Sequence, residues 1–295
     1  MTSLSPLRYP GGKQVLSQVL ARLIASNDLE DGIYAEPYAG GAGAALALLF
    51  SEHVSKLLLN DADPCIFALW DSILNQTEDF IRLVSDTPVT VEEWRKQKAI
   101  YTTSGGSSTL EVGFATFFLN RTNRSGIIKN AGPIGGYDQT GTWKVDARFS
   151  RKELAKRIER IALYKKRISF HNLDAIDFIK DIKNVPRLFV YFDPPYFVKG
   201  RELYLNHYAP EDHRQLATFM KECNDFKWVM SYDRTLDIER LYRTFRQVRF
   251  QLSYSATVRR AGEEVLILGK GLKFPREWRE TLPRTGLAPI FDTTS

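Results

Sequence analysis

Residues 188–196 read Leu-Phe-Val-Tyr-Phe-Asp-Pro-Pro-Tyr. The apolar run is a strand that belongs inside a fold, and it ends in a carboxylate. Neither proline has an N–H to give to a ladder, and both hold the chain extended, so the strand stops at Asp193 and turns. The Asp193 carboxylate and the Pro194 carbonyl are then acceptors gathered at one strand end, with the ring of Tyr196 beside them. An exocyclic amine on a flat heterocycle suits such a place. Its N–H donors meet the acceptors, and its ring stacks on the aromatic. The plainer alternative is a strand closed by a Pro-Pro turn with a capping aspartate.

The pattern before and after this strand alternates strand with helix. Apolar residues at helical spacing predict a helix over 14–26. A short strand over 33–36 runs into Pro37-Tyr38-Ala39-Gly40-Gly41-Ala42-Gly43 and an Ala/Leu-rich helix ending at Phe50. A second strand over 56–61 precedes a helix that Pro64 opens. Strand–helix–strand–helix implies a parallel pair. From about 76 the character changes. Helical patterns over 91–101 and 109–119 lead into a Gly/Asn/Arg/Thr-rich stretch from Asn120 to Thr142. A stretch of that length without regular structure is usually functional. Afterwards come a basic helix (151–165), a strand (166–171), a helix (174–181), the Asp193 strand, a helix near 210–224, a strand (227–231) and a helix (236–244). Two strands near 247–254 and 263–269 read as an antiparallel pair, and the tail beyond Phe274 as surface chain.

A chain of 295 residues with this composition supports one large domain or one domain carrying an insertion. Its 41 Lys and Arg against 35 Asp and Glu give a net charge of +6, and basic residues cluster over 151–167 and 240–260. That excess favours a polyanionic partner. Cys65 and Cys223 are far apart and suggest no disulfide framework. No long uncharged apolar stretch predicts a membrane span, and the first residues lack a signal-peptide core, so a reducing cytoplasmic setting is expected. The four histidines have no metal-ligand spacing; His207, Asp212 and His213 fit a helix start at Pro210 instead.

The glycine-rich turn after the first strand marks the ligand crevice of a doubly wound sheet. Glu36 ends that strand and Asp61 ends the next, where an acidic side chain can hold the hydroxyls of a ribose. The third glycine of a dinucleotide fingerprint is absent from Gly41-Ala42-Gly43-Ala44-Ala45-Leu46, and no basic residue is present to meet a diphosphate. An adenosine carrying a sulfonium cation suits the site better, which points to S-adenosylmethionine. Arg8-Tyr9-Pro10-Gly11-Gly12-Lys13 makes another tight turn, but it lacks the features of a phosphate loop.

Taken together, Tyr9-Pro-Gly-Gly-Lys13, Glu36-Pro-Tyr-Ala-Gly-Gly-Ala-Gly43, Asn60-Asp61, Phe118-Leu-Asn-Arg-Thr-Asn-Arg-Ser-Gly126 and Asp193-Pro-Pro-Tyr196 occur in this order. The chain resembles the Dam-like DNA adenine-N6 methyltransferases of the D12 class over about residues 4–270. The resemblance implies a Rossmann-like S-adenosylmethionine-dependent methyltransferase fold of the α/β class, with an inserted, mainly helical target-recognition domain. The catalytic part would be 1–75 with 151–274, the insertion 76–150 and the tail 275–295.

By the same resemblance, Tyr9 (tryptophan in the best-known relatives), Lys13, Glu36, Pro37, Gly41, Gly43, Asp61, Asp174 and Asp193 would line the cofactor site. Asp193, Pro194, Pro195 and Tyr196 would face the target base. Asn120, Arg121, Asn123, Arg124, Lys129 and Asn130 suit base edges and phosphates, or alternatively a polar loop with a structural Asn120-Arg121 turn. Arg259 and Arg260 would touch phosphates. The implied partner is duplex DNA, its target adenine flipped out of the helix to reach the pocket. The implied enzyme is a monomer, with a cognate restriction enzyme as a candidate companion. A methyltransferase for RNA adenine or for cytosine N4, and a catalytically silent DNA-binding protein on the same fold, are the alternatives.

Overall fold

The computed structural model describes residues 3–8, 13–103, 105–197, 208–253 and 261–275. Seven strands form one sheet: β1 (Gly32–Glu36), β2 (Val54–Asn60), β3 (Ile168–His171), β4 (Leu188–Phe192), β5 (Lys227–Asp233), β6 (Arg246–Ser253) and β7 (Ala261–Leu268). Their spatial order is β3-β2-β1-β4-β5-β7-β6. The first five run parallel, and β7 is antiparallel to both β5 and β6. The chain leaves β1 toward β2 on one side and returns to β4 on the other. The boundary between β1 and β4 is therefore the switch point, where side chains at the carboxyl ends face a crevice.

Alternation along the strands divides the core into two layers. Tyr34, Leu57, Leu59, Phe189, Tyr191 and Val229 face one cluster with α1 (Ser17–Ser26), α2 (Gly43–Phe50) and α3 (Pro64–Asn75). Ala35, Leu58, Val190, Phe192, Trp228 and Met230 face the other, with α8 (Ala175–Ile182), α9 (Pro210–Glu222) and α10 (Leu236–Leu241). Burial of both faces explains why the β4 sequence is apolar throughout rather than alternating.

The middle of the chain adds α4 (Thr77–Asp86), α5 (Val91–Thr103) and α6 (Thr109–Thr122), followed by a loop and then α7 (Arg151–Leu163). The α4 helix is absent from the expected elements, because only Phe80 and Val84 of its ten residues are buried and its apolar stripe is short. Phe80, Trp94, Phe114, Phe117 and Phe118 share one continuous apolar core with α1–α3. Helix α6 lies close on α3: a Cβ on Gly113 would come within 2.5 Å of the Ala68 carbonyl. A capping box between Ser108 and Glu111 starts α6, and Asp63 with Pro64 starts α3.

The first turn of the predicted 14–26 helix is a 3-10 turn over Lys13–Leu16, and the α-helix begins at Ser17. Both cysteines are buried and free. Among the described residues no helix is long and apolar enough to cross a membrane.

Candidate active site

The site is built from the carboxyl ends of neighbouring strands. Glu36 closes β1 and is 5% exposed. It accepts from Tyr34 Oη at 2.8 Å. Burial raises Glu36 to about 8, and the charge of Asp193 adds to the rise; donation from the Tyr34 hydroxyl and the Ala45 amide opposes it. The carboxylates of β1 and β4 are thus electrostatic neighbours across the switch point.

After Glu36 the chain turns sharply, with Gly40 at φ +46° and Ala42 at φ +49° before α2 begins at Gly43. Glycine serves the first of these left-handed positions. Pro37 and Gly41 are buried, and Gly43 faces Gln14 at the start of the N-terminal helix.

Asp61, just past β2, holds this turn. Its Oδ2 accepts from the Gly40 amide at 2.9 Å and its Oδ1 from the Asp63 amide at 3.0 Å. Burial pushes its carboxyl up to about 7. Asn60, fully buried, ties three strand ends together. Its Nδ2 donates to the carbonyls of Pro37 and Leu173 at 3.0 Å, and its Oδ1 accepts from the Leu173 amide at 2.9 Å. Asp174 is exposed at the same sheet edge, and one of its oxygens caps α8 through the Ile176 amide at 2.8 Å. The backbone of Lys13 opens the N-terminal 3-10 turn. Tyr9, Arg259 and Arg260 lie outside the described residues.

Asp193 leaves β4 half-buried, Pro194 is buried, and Pro195 and Tyr196 are half-buried. Three residues from β5 and β7 bond this loop. Ser231 Oγ donates to Asp193 Oδ1 at 2.9 Å, with Tyr191 Oη at 2.8 Å on its other side. Tyr196 Oη donates to Glu264 Oε1 at 3.0 Å. The Phe197 amide donates to Asp233 Oδ1 at 3.0 Å. Sequence reading missed Ser231, Asp233 and Glu264. The usable signals were a hydroxyl and a carboxylate closing an apolar strand, and a carboxylate beside the apolar run Val265–Leu268.

The residues expected to contact DNA divide sharply. Asn120 is 1% exposed and Asn123 is 0% exposed. Asn120 Oδ1 accepts from the Arg8 amide at 2.7 Å, and its Nδ2 donates to the carbonyls of Arg8 and Gly126 at 2.8 and 2.9 Å. Asn123 Oδ1 accepts from Trp94 Nε1 at 2.6 Å, and its Nδ2 donates to the Ile127 carbonyl at 2.8 Å. Their amides are committed to internal turns, so neither side chain reaches a base from this position. Both are corrections to the expected list; the structural-turn alternative named Asn120 with Arg121, and the internal role of Asn123 was not expected. Arg121 is half-buried against the Arg148 carbonyl, whereas Arg124, Lys129 and Asn130 are exposed. Trp143 in the same loop is 67% exposed, an unusual place for a large apolar ring. His213 is buried in α9 against Tyr232 Oη at 2.9 Å, and burial holds it down to about 4.

The donor set favours a cationic ligand. Glu36 and Asp61 are carboxylates bonded only to neutral donors among the described residues, and burial resists their ionisation until a positive charge arrives.

A family model described as D12 class N6 adenine-specific DNA methyltransferase matches residues 9–256. No curated protein matches the chain. Among solved structures, the protein LPL1258 from Legionella pneumophila aligns over 91% of this chain and 87% of its own, at 9% identity and a TM-score of 0.36.

Proposed function

The chain belongs to the D12 class N6 adenine-specific DNA methyltransferases, and on that premise we propose how its residues perform the reaction. Adenine in DNA is the substrate of the family, which sets it ahead of cytosine N4 and of RNA. The family implies S-adenosylmethionine as donor, and Glu36 and Asp61, bonded only to neutral donors among the described residues, suit its sulfonium charge and its ribose hydroxyls. When bound, this cofactor supplies an electrophilic methyl carbon on a sulfonium. Glu36, Pro37, Gly41 and Gly43 would hold its methionine part, with Lys13 and Tyr9 from the N-terminal motif. Asp61 would hold the ribose, and Asp174 would lie near the adenine ring.

The observation that carries the reading is the convergence of Asp193 and Glu36 at the β1/β4 switch point, with Tyr196 beside them. Adenine's amino nitrogen is a weak nucleophile because its lone pair is conjugated into the ring. Asp193 and the Pro194 carbonyl accept its two N–H bonds and favour a tetrahedral nitrogen, whose lone pair then points at the methyl carbon. A carboxylate is far too weak a base to deprotonate a neutral aromatic amine. The role of Asp193 is therefore to orient the amine and to stabilise the cation that forms on nitrogen. That cation sheds its proton after transfer. Tyr196 stacks on the flipped base and recovers roughly 1–3 kcal/mol of the flipping cost.

The helices and loop of 76–150 act as the recognition insertion, with Arg124, Lys129, Asn130 and Trp143 as its exposed contacts. The rest of the chain, 1–75 with 151–274, carries out the transfer, and duplex DNA is the partner.

Incubating the purified protein with labelled cofactor and duplex DNA, then separating the nucleosides, tests the reading. The label should appear in N6-methyladenine. Label in cytosine, transfer to RNA alone, or specific DNA binding without transfer would overturn it.

A further inference from the structure

Several described arginines take carboxylate partners: Arg82 with Asp79, Arg167 with Glu52, Arg214 with Glu211, and Arg234 and Arg249 with Glu239. Among those that do not, four gather in one place, close enough to repel one another. Arg121, in the last turn of α6, donates through Nε and Nη2 to the Arg148 carbonyl, the first at 2.8 Å. Arg8 donates through Nη1 to the Asn123 carbonyl at 3.1 Å. Arg157, on α7, donates through Nη1 to the Ser5 carbonyl at 3.3 Å. Among the described residues, no carboxylate lies within ion-pair reach of any of the four.

Arg8, Arg121 and Arg157 are half-buried and Arg148 is exposed. Their mutual repulsion is plain: burial first, then Arg8, Arg157 and Arg148, hold Arg121 well below its ordinary value. Burial and then Arg148 also lower Arg8.

Gathering four cations without a counter-charge costs folding free energy, and partial burial raises that cost. The cluster is held in place nonetheless. The Asn120 amide clamps both backbone groups of Arg8, and a Cβ on Gly126 would strike the Arg8 carbonyl. Each guanidinium offers five donors, and the carbonyl bonds use two from Arg121, one each from Arg8 and Arg157, and none from Arg148. A tetrahedral oxyanion matches such forks. The position selects which one. Arg8 directly precedes the Tyr9–Lys13 motif in sequence, and Arg121 and Arg148 bracket the loop that carries Arg124, Lys129 and Trp143.

We propose that Arg8, Arg121, Arg148 and Arg157 form a single binding site for a backbone phosphate of the DNA substrate, at the two ends of the recognition loop. This rests on the DNA methyltransferase reading. The site neutralises that phosphate and anchors the strand while the base leaves the stack. It carries no sequence information itself.

The test measures DNA affinity against salt for the wild type, for Arg148→Gln and Arg157→Gln, and for the double variant. For every phosphate the protein no longer neutralises, the slope of log affinity against log salt should fall by about one. Melting temperatures of the DNA-free variants should hold or rise, because removing one cation relieves the others. Duplexes with a neutral methylphosphonate beside the target adenine should weaken wild-type binding and leave the double variant unaffected. An unchanged slope in the double variant overturns the proposal. So does a lowered melting temperature with an unchanged slope, which marks a structural role. Protection of the wild type alone by inorganic phosphate, with equal DNA slopes, also overturns it and marks a free-anion site. A wild-type protein that neither binds nor methylates DNA refutes the underlying reading instead, and so separates the two failures.

Discussion

Replacing Ser231 with alanine probes the catalytic arrangement at a residue that never touches the base. Ser231 is fully buried, and its hydroxyl is the link between Tyr191 Oη and Asp193 Oδ1, at 2.8 and 2.9 Å. A hydrogen bond to an ionised group is worth about 1.5–3 kcal/mol. If that bond is what keeps the carboxylate turned toward the amine, its loss slows methyl transfer by about 10- to 150-fold. An opposing effect is smaller. The hydroxyl draws charge from Asp193, so removing it strengthens the remaining acceptor, but for the resting and the reacting amine alike. Misorientation acts on the reacting state. Single-turnover transfer of labelled methyl to saturating duplex DNA reads the rate, and equilibrium binding of DNA and of S-adenosylhomocysteine should be unchanged. Ser231→Cys, which keeps a weak donor, should fall between wild type and alanine. In an Asp193→Asn background the alanine change should cost little more. Wild-type transfer by a stable Ser231→Ala enzyme would refute the argument that Asp193 is held through this hydroxyl.

Tyr196→Phe removes the 3.0 Å donation to Glu264 and should lower single-turnover transfer about five- to tenfold, the equivalent of roughly 1 kcal/mol; Tyr196→Ala loses the stacking face as well and should be far worse, so equal rates would argue against stacking. Glu36 and Asp61 hold protons in the folded state up to about pH 8 and 7, whereas the unfolded carboxyls lose theirs near 4. The stability they contribute is therefore complete at acid pH and is lost as pH rises through those folded values. The melting temperature of the ligand-free protein should decline across this window, and Glu36→Gln should flatten the decline; a variant that melts with the wild-type pH profile would contradict the assignment. Asn120→Ala should destabilise the protein by about 2–4 kcal/mol, since three hydrogen bonds are lost, and should also lower the salt slope of DNA binding in the folded fraction, since the clamp on Arg8 is lost with them. Chemical denaturation with parallel binding titrations separates the two effects.

Much of the fold was legible because its signals are local. Residues 188–192 are apolar at every position since both sheet faces are covered, and the two prolines mark where β4 must end. The same locality exposed the crevice: a strand, a glycine turn and a helix are adjacent in sequence, so Glu36 and Asp61 could be placed at strand ends without knowing the sheet order. What pairs β5 with β7 is not local. Glu264 meets Tyr196 only because β7 inserts between β5 and β6, antiparallel to both, and no periodicity in the chain announces that insertion. The bracket under Asp193 was hidden for this reason rather than for want of chemical character in its residues.

The polar stretch after α6 shows the harder limit. Asn120, Arg121, Asn123 and Arg124 lie within five residues, and side-chain type makes all four equally suited to a nucleic acid. Their fates are decided by partners far away in sequence: Arg8 for Asn120, Trp94 for Asn123 and Arg148 for Arg121. An asparagine amide with its donors and acceptor already bonded in the interior gains nothing from a base edge, since breaking those bonds costs what the new ones return. A guanidinium with only carbonyl partners keeps both its charge and most of its donors. The same neighbourhood therefore turns asparagines into scaffold and leaves arginines available to an anion. Composition pointed to DNA for this segment as a whole, and the distinction between residues that build the surface and residues that use it arises from charge compensation, which only the folded arrangement reveals.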